Sequence, residues 1–166
     1  MEELPKRKSL RLPNHDYACG WYFVTICTKD KRHSLGAVVG GDAHIAPHVR
    51  LSKYGAMVRD ALLEMGTFYD DITIDHYVVM PNHVHFILSI CGEGGPSRTP
   101  APTNARLPAF LSAWKRLTNK KAGFSLWQRG YYDHIIRCEA DYLRIWQYMD
   151  ENPVRWTEDE YYVEQV

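Results

Sequence analysis

The sequence predicts an α+β domain of the ferredoxin-like βαββαβ class: a four-stranded antiparallel sheet with two helices on one face, an inserted β-hairpin and a C-terminal helix. Three observations carry this. Stretches rich in β-branched and aromatic residues alternate with stretches whose apolar residues recur at helical spacing, in the order β, hairpin, α, β, β, α, β, α. Two of the strands meet at Pro81-Asn82, where proline fixes one backbone angle and asparagine tolerates unusual ones, so the chain turns tightly there. No internal repeat and no second apolar block appear in the 166 residues, which fits one domain with one core.

Each element has a local reason. Residues 1–18 hold Lys6, Arg7, Lys8 and Arg11 with Pro5 and Pro13, and read as a basic N-terminal arm. Residues 20–28 (GWYFVTICT) form a strand, and residues 29–32 a charged turn. Gly40-Gly41-Asp42, between 36–39 and 43–45, signals the inserted hairpin. Residues 51–68 read as a helix, capped by Ser52 and striped with Met57, Val58, Ala61, Leu62 and Met65. Residues 72–79 and 84–88 are the strands on either side of the Pro81-Asn82 corner. Residues 91–105, rich in Gly, Pro, Ser and Thr, form a loop. Residues 107–122 form a second helix, with Phe110, Leu111, Trp114 and Leu117 on one side and Lys115, Arg116, Lys120 and Lys121 on the other. Residues 131–136 form the last strand. Residues 139–151 form the third helix, striped with Tyr142, Ile145, Trp146 and Met149 and ended by Pro153. The domain proper spans 19–156, and 157–166 is an acidic tail with Glu158, Asp159, Glu160 and Glu164. The central strands of the sheet are expected to be the first strand and the one carrying His83 and His85.

Composition excludes several classes. Twenty Lys and Arg balance twenty Asp and Glu, so the chain lacks the overall basic excess of many nucleic-acid binders, and its charge is polarised instead. Cys19, Cys27, Cys91 and Cys138 form no Cys-x-x-Cys pair, which argues against a zinc knuckle. No apolar run approaches the ~20 residues of a membrane span, and the charged N-terminus has no apolar signal core. The expectation is a cytoplasmic protein with free thiols.

On a strand, alternate side chains share a face, so His83 and His85 point the same way and can grip one metal ion. Tyr148 and Asn152 are one helical turn apart and share a face of the third helix. If that face lies over the sheet, two imidazoles, an amide oxygen and a phenol converge. An amide oxygen favours a hard ion such as Mg²⁺ or Mn²⁺, while imidazole also suits zinc. A phenol beside such an ion is a candidate nucleophile toward a phosphodiester. Its rivals are Tyr131, Tyr132, Tyr142, Tyr161 and Tyr162, of which Tyr142 falls on the apolar stripe. His76 and His134 read as structural, and Trp127 as core.

The run Val78-Val79-Met80-Pro81-Asn82-His83-Val84-His85-Phe86-Ile87-Leu88 is followed by Trp127-Gln128-Arg129 and by Tyr132-Asp133-His134-Ile135-Ile136-Arg137. Asp141-Tyr142 and Tyr148 to Asn152-Pro153-Val154 complete the set. Together they resemble the single-tyrosine transposases with a His-hydrophobic-His motif, and among these the REP-associated tyrosine transposases, over roughly residues 10–156. The resemblance implies a metal-dependent single-stranded DNA endonuclease and strand transferase acting through a 5′-phosphotyrosine at hairpin DNA. It implies His83, His85 and Asn152 as ligands of Mg²⁺ or Mn²⁺ and Tyr148 as nucleophile, and it allows a homodimer. Arg129 and Arg137, the cluster Lys115, Arg116, Lys120 and Lys121, and the arm cations Lys6, Arg7, Lys8 and Arg11 are the candidate DNA contacts. Two other readings compete. One is a non-catalytic single-stranded nucleic-acid-binding module, which would expose Tyr22 and Phe86 on the sheet. The other is a hydrolase whose attacking group is water at the metal.

Overall fold

Strand β1 (Gly20–Cys27) buries both of its faces, Tyr22, Val24 and Ile26 on one side and Phe23 and Cys27 on the other, and so lies inside the sheet. The computed structural model describes residues 20–90 and 106–164; the basic arm with Lys6, Arg7, Lys8 and Arg11, and the loop 91–105, lie outside the described residues. A hairpin of β2 (Gly36–Val39) and β3 (His48–Leu51) leads to helix α1 (Lys53–Phe68), then to β4 (Ile72–Val79) and β5 (His83–Ile90). Helix α2 (Arg106–Ala122), strand β6 (Tyr132–Ile136) and helix α3 (Glu139–Glu151) complete the order. The main sheet is antiparallel in the order β4-β5-β1-β6, with β1 and β5 central, as the βαββαβ pattern predicts.

Strand alternation divides the interior in two. Tyr22, Val24, Ile26, Val84, Phe86 and Leu88 face α1 and α2, where Val58, Leu62, Phe110 and Trp114 close a core of fully buried side chains. The opposite face carries Phe23, His83, His85 and Ile87 and is covered by α3 through Ile145 and Met149. Tyr22 and Phe86 are both 0% exposed, so the aromatic platform that a sheet-face binding module needs is turned into the core.

Three ties fix α3 across that face. A register shift between Ile74 and His76 makes a bulge at Asp75, whose carboxylate accepts the Tyr142 hydroxyl. His76 stacks on Trp146 with ring centroids 3.9 Å apart and bonds Asp150 through Nε2 at 2.9 Å. On the far strand, His134 Nε2 bonds Asp141 at 2.7 Å.

Two elements differ from the sequence expectation. The second hairpin strand is His48–Leu51, not 43–45. Asp42 Oδ1 accepts the backbone N–H groups of His44 and Ile45, so these residues close a turn instead of a ladder. The acidic segment read as a tail packs back on the domain. A turn at Trp156–Glu158 buries Trp156, and Asp159 to Tyr161 then cross over the histidine pair.

Candidate active site

His83 and His85 occupy the first turn-proximal positions of β5, on the face beneath α3, and are 0% and 1% exposed. Their Nε2 atoms face each other at 2.9 Å. The other nitrogen of each ring is tied down. His83 Nδ1 bonds Asn82 Oδ1 at 2.8 Å, and His85 Nδ1 bonds Thr25 Oγ1 at 2.8 Å across the β1–β5 pair. Asn82 is itself locked, its amide donating to the carbonyls of Tyr161 at 2.8 Å and Lys31 at 3.3 Å. Orienting partners of this kind aim imidazole lone pairs at one point.

Burial pushes His83 down to about 3, with the nearby Asn152 amide opposing and Lys31 reinforcing the fall. Burial also pushes His85 well below the usual histidine value, reinforced by His83. Both rings are therefore neutral near pH 7, the form that donates a lone pair to a cation.

From α3, Tyr148 and Asn152 reach the same place, as their spacing requires. The Tyr148 ring lies edge-on to His85, with centroids 5.5 Å apart, and to Phe23 at 6.2 Å. Asn152 is buried, and its Nδ2 donates to Asp159 at 3.0 Å while its Oδ1 has no hydrogen-bond partner. Acceptor atoms of His83, His85 and Asp159 all lie within 4.8 Å of one another. An orphaned buried amide oxygen beside two neutral imidazoles and a carboxylate fits a divalent cation, because such an oxygen otherwise costs its full desolvation. Burial, then the negative Asp159, push the Tyr148 phenol up to about 12, so its proton is held firmly without a cation nearby.

A cavity of about 330 Å³ opens beside this cluster, lined by Phe23, Thr25, His85, Tyr132, Tyr148 and Tyr161 among others. Tyr161 stacks obliquely against His83 with ring centroids 4.8 Å apart.

The other sequence candidates lie elsewhere. Lys115, Arg116, Lys120 and Lys121 are on α2, across the sheet from the histidines. Lys115 Nζ donates to the carbonyls of Gln128 and Gly130 at 2.7 and 3.0 Å, and Lys121 pairs with Glu64 at 3.2 Å. Arg129 is exposed in the loop before β6. Arg137 lines a groove with Trp21 and Leu143 at the opposite end of β1 from Thr25. Sequence reasoning missed Asn82, Thr25 and Asp159. Thr25 was within reach once β1 and β5 were paired. For Asp159 the signal was Trp156, Tyr161 and Tyr162, aromatic residues that a solvated acidic tail does not need.

No protein-family model matches the chain. A protein of Haemophilus influenzae described as an uncharacterized protein is 32% identical over 177 residues, covering 95% of this chain and 94% of that protein. The solved structure of a REP-associated tyrosine transposase bound to a REP hairpin superposes with a TM-score of 0.59 at 20% identity, over 88% of this chain and 73% of that one. That likeness is one of fold.

Proposed function

This chain belongs to one family with the Haemophilus influenzae protein and has the fold of a REP-associated tyrosine transposase, and we propose that it is a metal-dependent single-stranded DNA endonuclease and strand transferase. The observation that carries the reading is the meeting of two neutral imidazoles, their Nε2 atoms 2.9 Å apart, with the orphaned Asn152 oxygen and the Tyr148 ring. His83, His85 and Asn152, joined by Asp159, would hold Mg²⁺ or Mn²⁺, which when bound supplies withdrawal of charge from the scissile phosphate. Tyr148 gives up its proton to solvent, and its oxygen bonds to phosphorus in line with the leaving group. The P–O3′ bond breaks, and the freed 3′-oxygen takes up a proton. A 5′-phosphotyrosine and a 3′-hydroxyl result. A second strand's 3′-hydroxyl can reverse the step and rejoin DNA. Asn82 and Thr25 hold the two imidazoles in orientation throughout.

The likeness in fold to a transposase holding a REP hairpin supports hairpin-forming single-stranded DNA as the partner. The basic arm with Lys6, Arg7, Lys8 and Arg11, the α2 cations and the exposed Arg129 and Arg137 are then the residues available to phosphates away from the site.

The test is incubation of labelled single-stranded oligonucleotides from the gene's own flanks with Mn²⁺ or Mg²⁺. Wild type is expected to cleave them. Tyr148→Phe is expected to bind them with unchanged affinity by fluorescence anisotropy and to cleave none. His83→Ala is expected to cleave at least ~10²-fold more slowly, the usual cost of removing one charge-stabilising element. Undiminished cleavage by Tyr148→Phe would sink the reading.

A further inference from the structure

The cavity beside Tyr148 poses an electrostatic problem. Glu160 lines it and Asp159 lies beside it, and both are negative enough to raise the phenol's pKa. A phosphodiester brings another negative charge, and that charge grows in the transition state. Among the described residues lining the cavity, Arg144 alone is a lysine or arginine.

Arg144 stands one helical turn before Tyr148 on α3. Helical side chains lean toward the helix N-terminus, so the Tyr148 ring is carried over the turn that Arg144 occupies. The guanidinium is not loose. Arg144 Nη2 donates to Asp141 Oδ1 at 2.6 Å, and the other oxygen of Asp141 accepts His134 Nε2 at 2.7 Å. His134 is on β6 and also lines the cavity. The chain His134–Asp141–Arg144 thus anchors the guanidinium through one of its terminal nitrogens between strand and helix, while the side chain stays 69% exposed with other N–H groups unused by Asp141. Hydrogen bonds first from His134 and then from Arg144 hold the Asp141 carboxyl below the usual range, so it is charged across the working pH.

We propose that Arg144 is a catalytic residue that binds a non-bridging oxygen of the scissile phosphate, and that His134 and Asp141 are positioning residues that set its place. The inference rests on the strand-transferase reading above and adds a cation from this chain itself. Arginine suits the task because its planar fork stays charged and can donate two parallel bonds to a phosphate.

The experiment compares wild type, Arg144→Ala, Arg144→Lys and Asp141→Asn on two single-stranded substrates, one natural and one with a neutral methylphosphonate at the scissile position. Wild-type cleavage of the natural strand with a covalent protein–DNA band establishes the parent reading; its absence would count against that reading and not against Arg144 in particular. Given that band, Arg144→Ala is expected to cleave the natural strand ~10²-fold more slowly, an ordinary cost for one lost charge-stabilising donor. Mn²⁺ affinity by calorimetry should not change, and DNA affinity by anisotropy should fall far less than the cleavage rate, because the charge Arg144 meets grows in the transition state. On the methylphosphonate the charge to be neutralised is gone, so the gap between wild type and Arg144→Ala is expected to shrink to about threefold or less, well under the ordinary cost of one lost donor. Arg144→Lys and Asp141→Asn should fall between the extremes on the natural strand and converge with wild type on the neutral one. An Arg144→Ala defect of equal size on both substrates would overturn the proposal, because a merely structural role does not read phosphate charge. Wild-type rates for Arg144→Ala on the natural strand would overturn it too.

Discussion

Two histidines, a threonine, two asparagines, an aspartate and a tyrosine make up the candidate site at the scale of single residues. His83 and His85 are useful because they are buried, and burial makes them neutral. The same burial has a consequence for stability. His83 is held at about 3 when folded, against 6.5 when free. Below pH 6.5 the unfolded chain therefore takes up a proton that the folded chain refuses. Stability falls as pH drops from 6.5 toward 3, by as much as about 1.4 kcal/mol per pH unit for each such histidine. Above pH 6.5 the contribution is fully present and flat. In chelator-containing buffer, urea melts of wild type are expected to show this slope, and the His83→Gln, His85→Gln double variant to lose most of it. Equal slopes for the two proteins would show that the pair is charged or solvated in the native state. The pair itself was legible from its two-residue spacing. What holds each ring was not, because the Asn82 bond depends on a corner that curls back on its own strand, and the Thr25 bond depends on strand register.

Among the elements, the corner before β5 and the N-terminus of α1 act as one assembly. Ser52 caps α1 by accepting the N–H groups of Tyr54 and Gly55, as its position predicts. Its own N–H and hydroxyl bond the carbonyls of Leu35 and Ser34, and Leu35 N–H donates to Pro81 O at 2.9 Å. Gly55 weakens the first turn by propensity alone, yet a Cβ there would meet Leu35 O at 2.0 Å, so glycine lets helix and loop touch. Gly55→Ala sets two effects against each other. Helix propensity favours alanine by about 1 kcal/mol, and overpacking against backbone costs about 1–3 kcal/mol or more. The clash wins at 2.0 Å. Thermal unfolding of Gly55→Ala is expected to shift down by several degrees, about what a net loss near 1 kcal/mol does in a domain of this size, with DNA cleavage reduced as Leu35 moves away from Pro81. A rise in melting temperature would contradict this packing. The sequence showed α1 and the corner separately. Their contact joins residues far apart in the chain, and no local pattern encodes it.

For the molecule as a whole, the arrangement is a division of labour between the two faces of one sheet. Alternation along β1 and β5 sends Tyr22, Val24, Ile26, Val84, Phe86 and Leu88 to the α1–α2 layer and leaves the histidine pair on the other face, beneath α3. That much followed from periodicity and element order, which is why strand order and the place of the histidines agree with expectation. The last segment did not follow. Asp159 and Tyr161 join the candidate site from a stretch whose acidic composition reads as solvated, and it is tied down by buried Trp156 in the turn before them and by the amides of Asn82 and Asn152, which donate to the Tyr161 carbonyl and the Asp159 carboxylate. The account depends on Tyr148, not Tyr161 or water, making the bond to DNA. The direct measurement is mass-spectrometric mapping of any covalent adduct formed when wild type is incubated with a hairpin-forming single-stranded oligonucleotide from the gene's own flanks and Mn²⁺. The account predicts a nucleotide-bearing peptide at Tyr148, absent from Tyr148→Phe. Cleaved DNA with a free 5′-phosphate and no adduct, or an adduct on Tyr161, would contradict it.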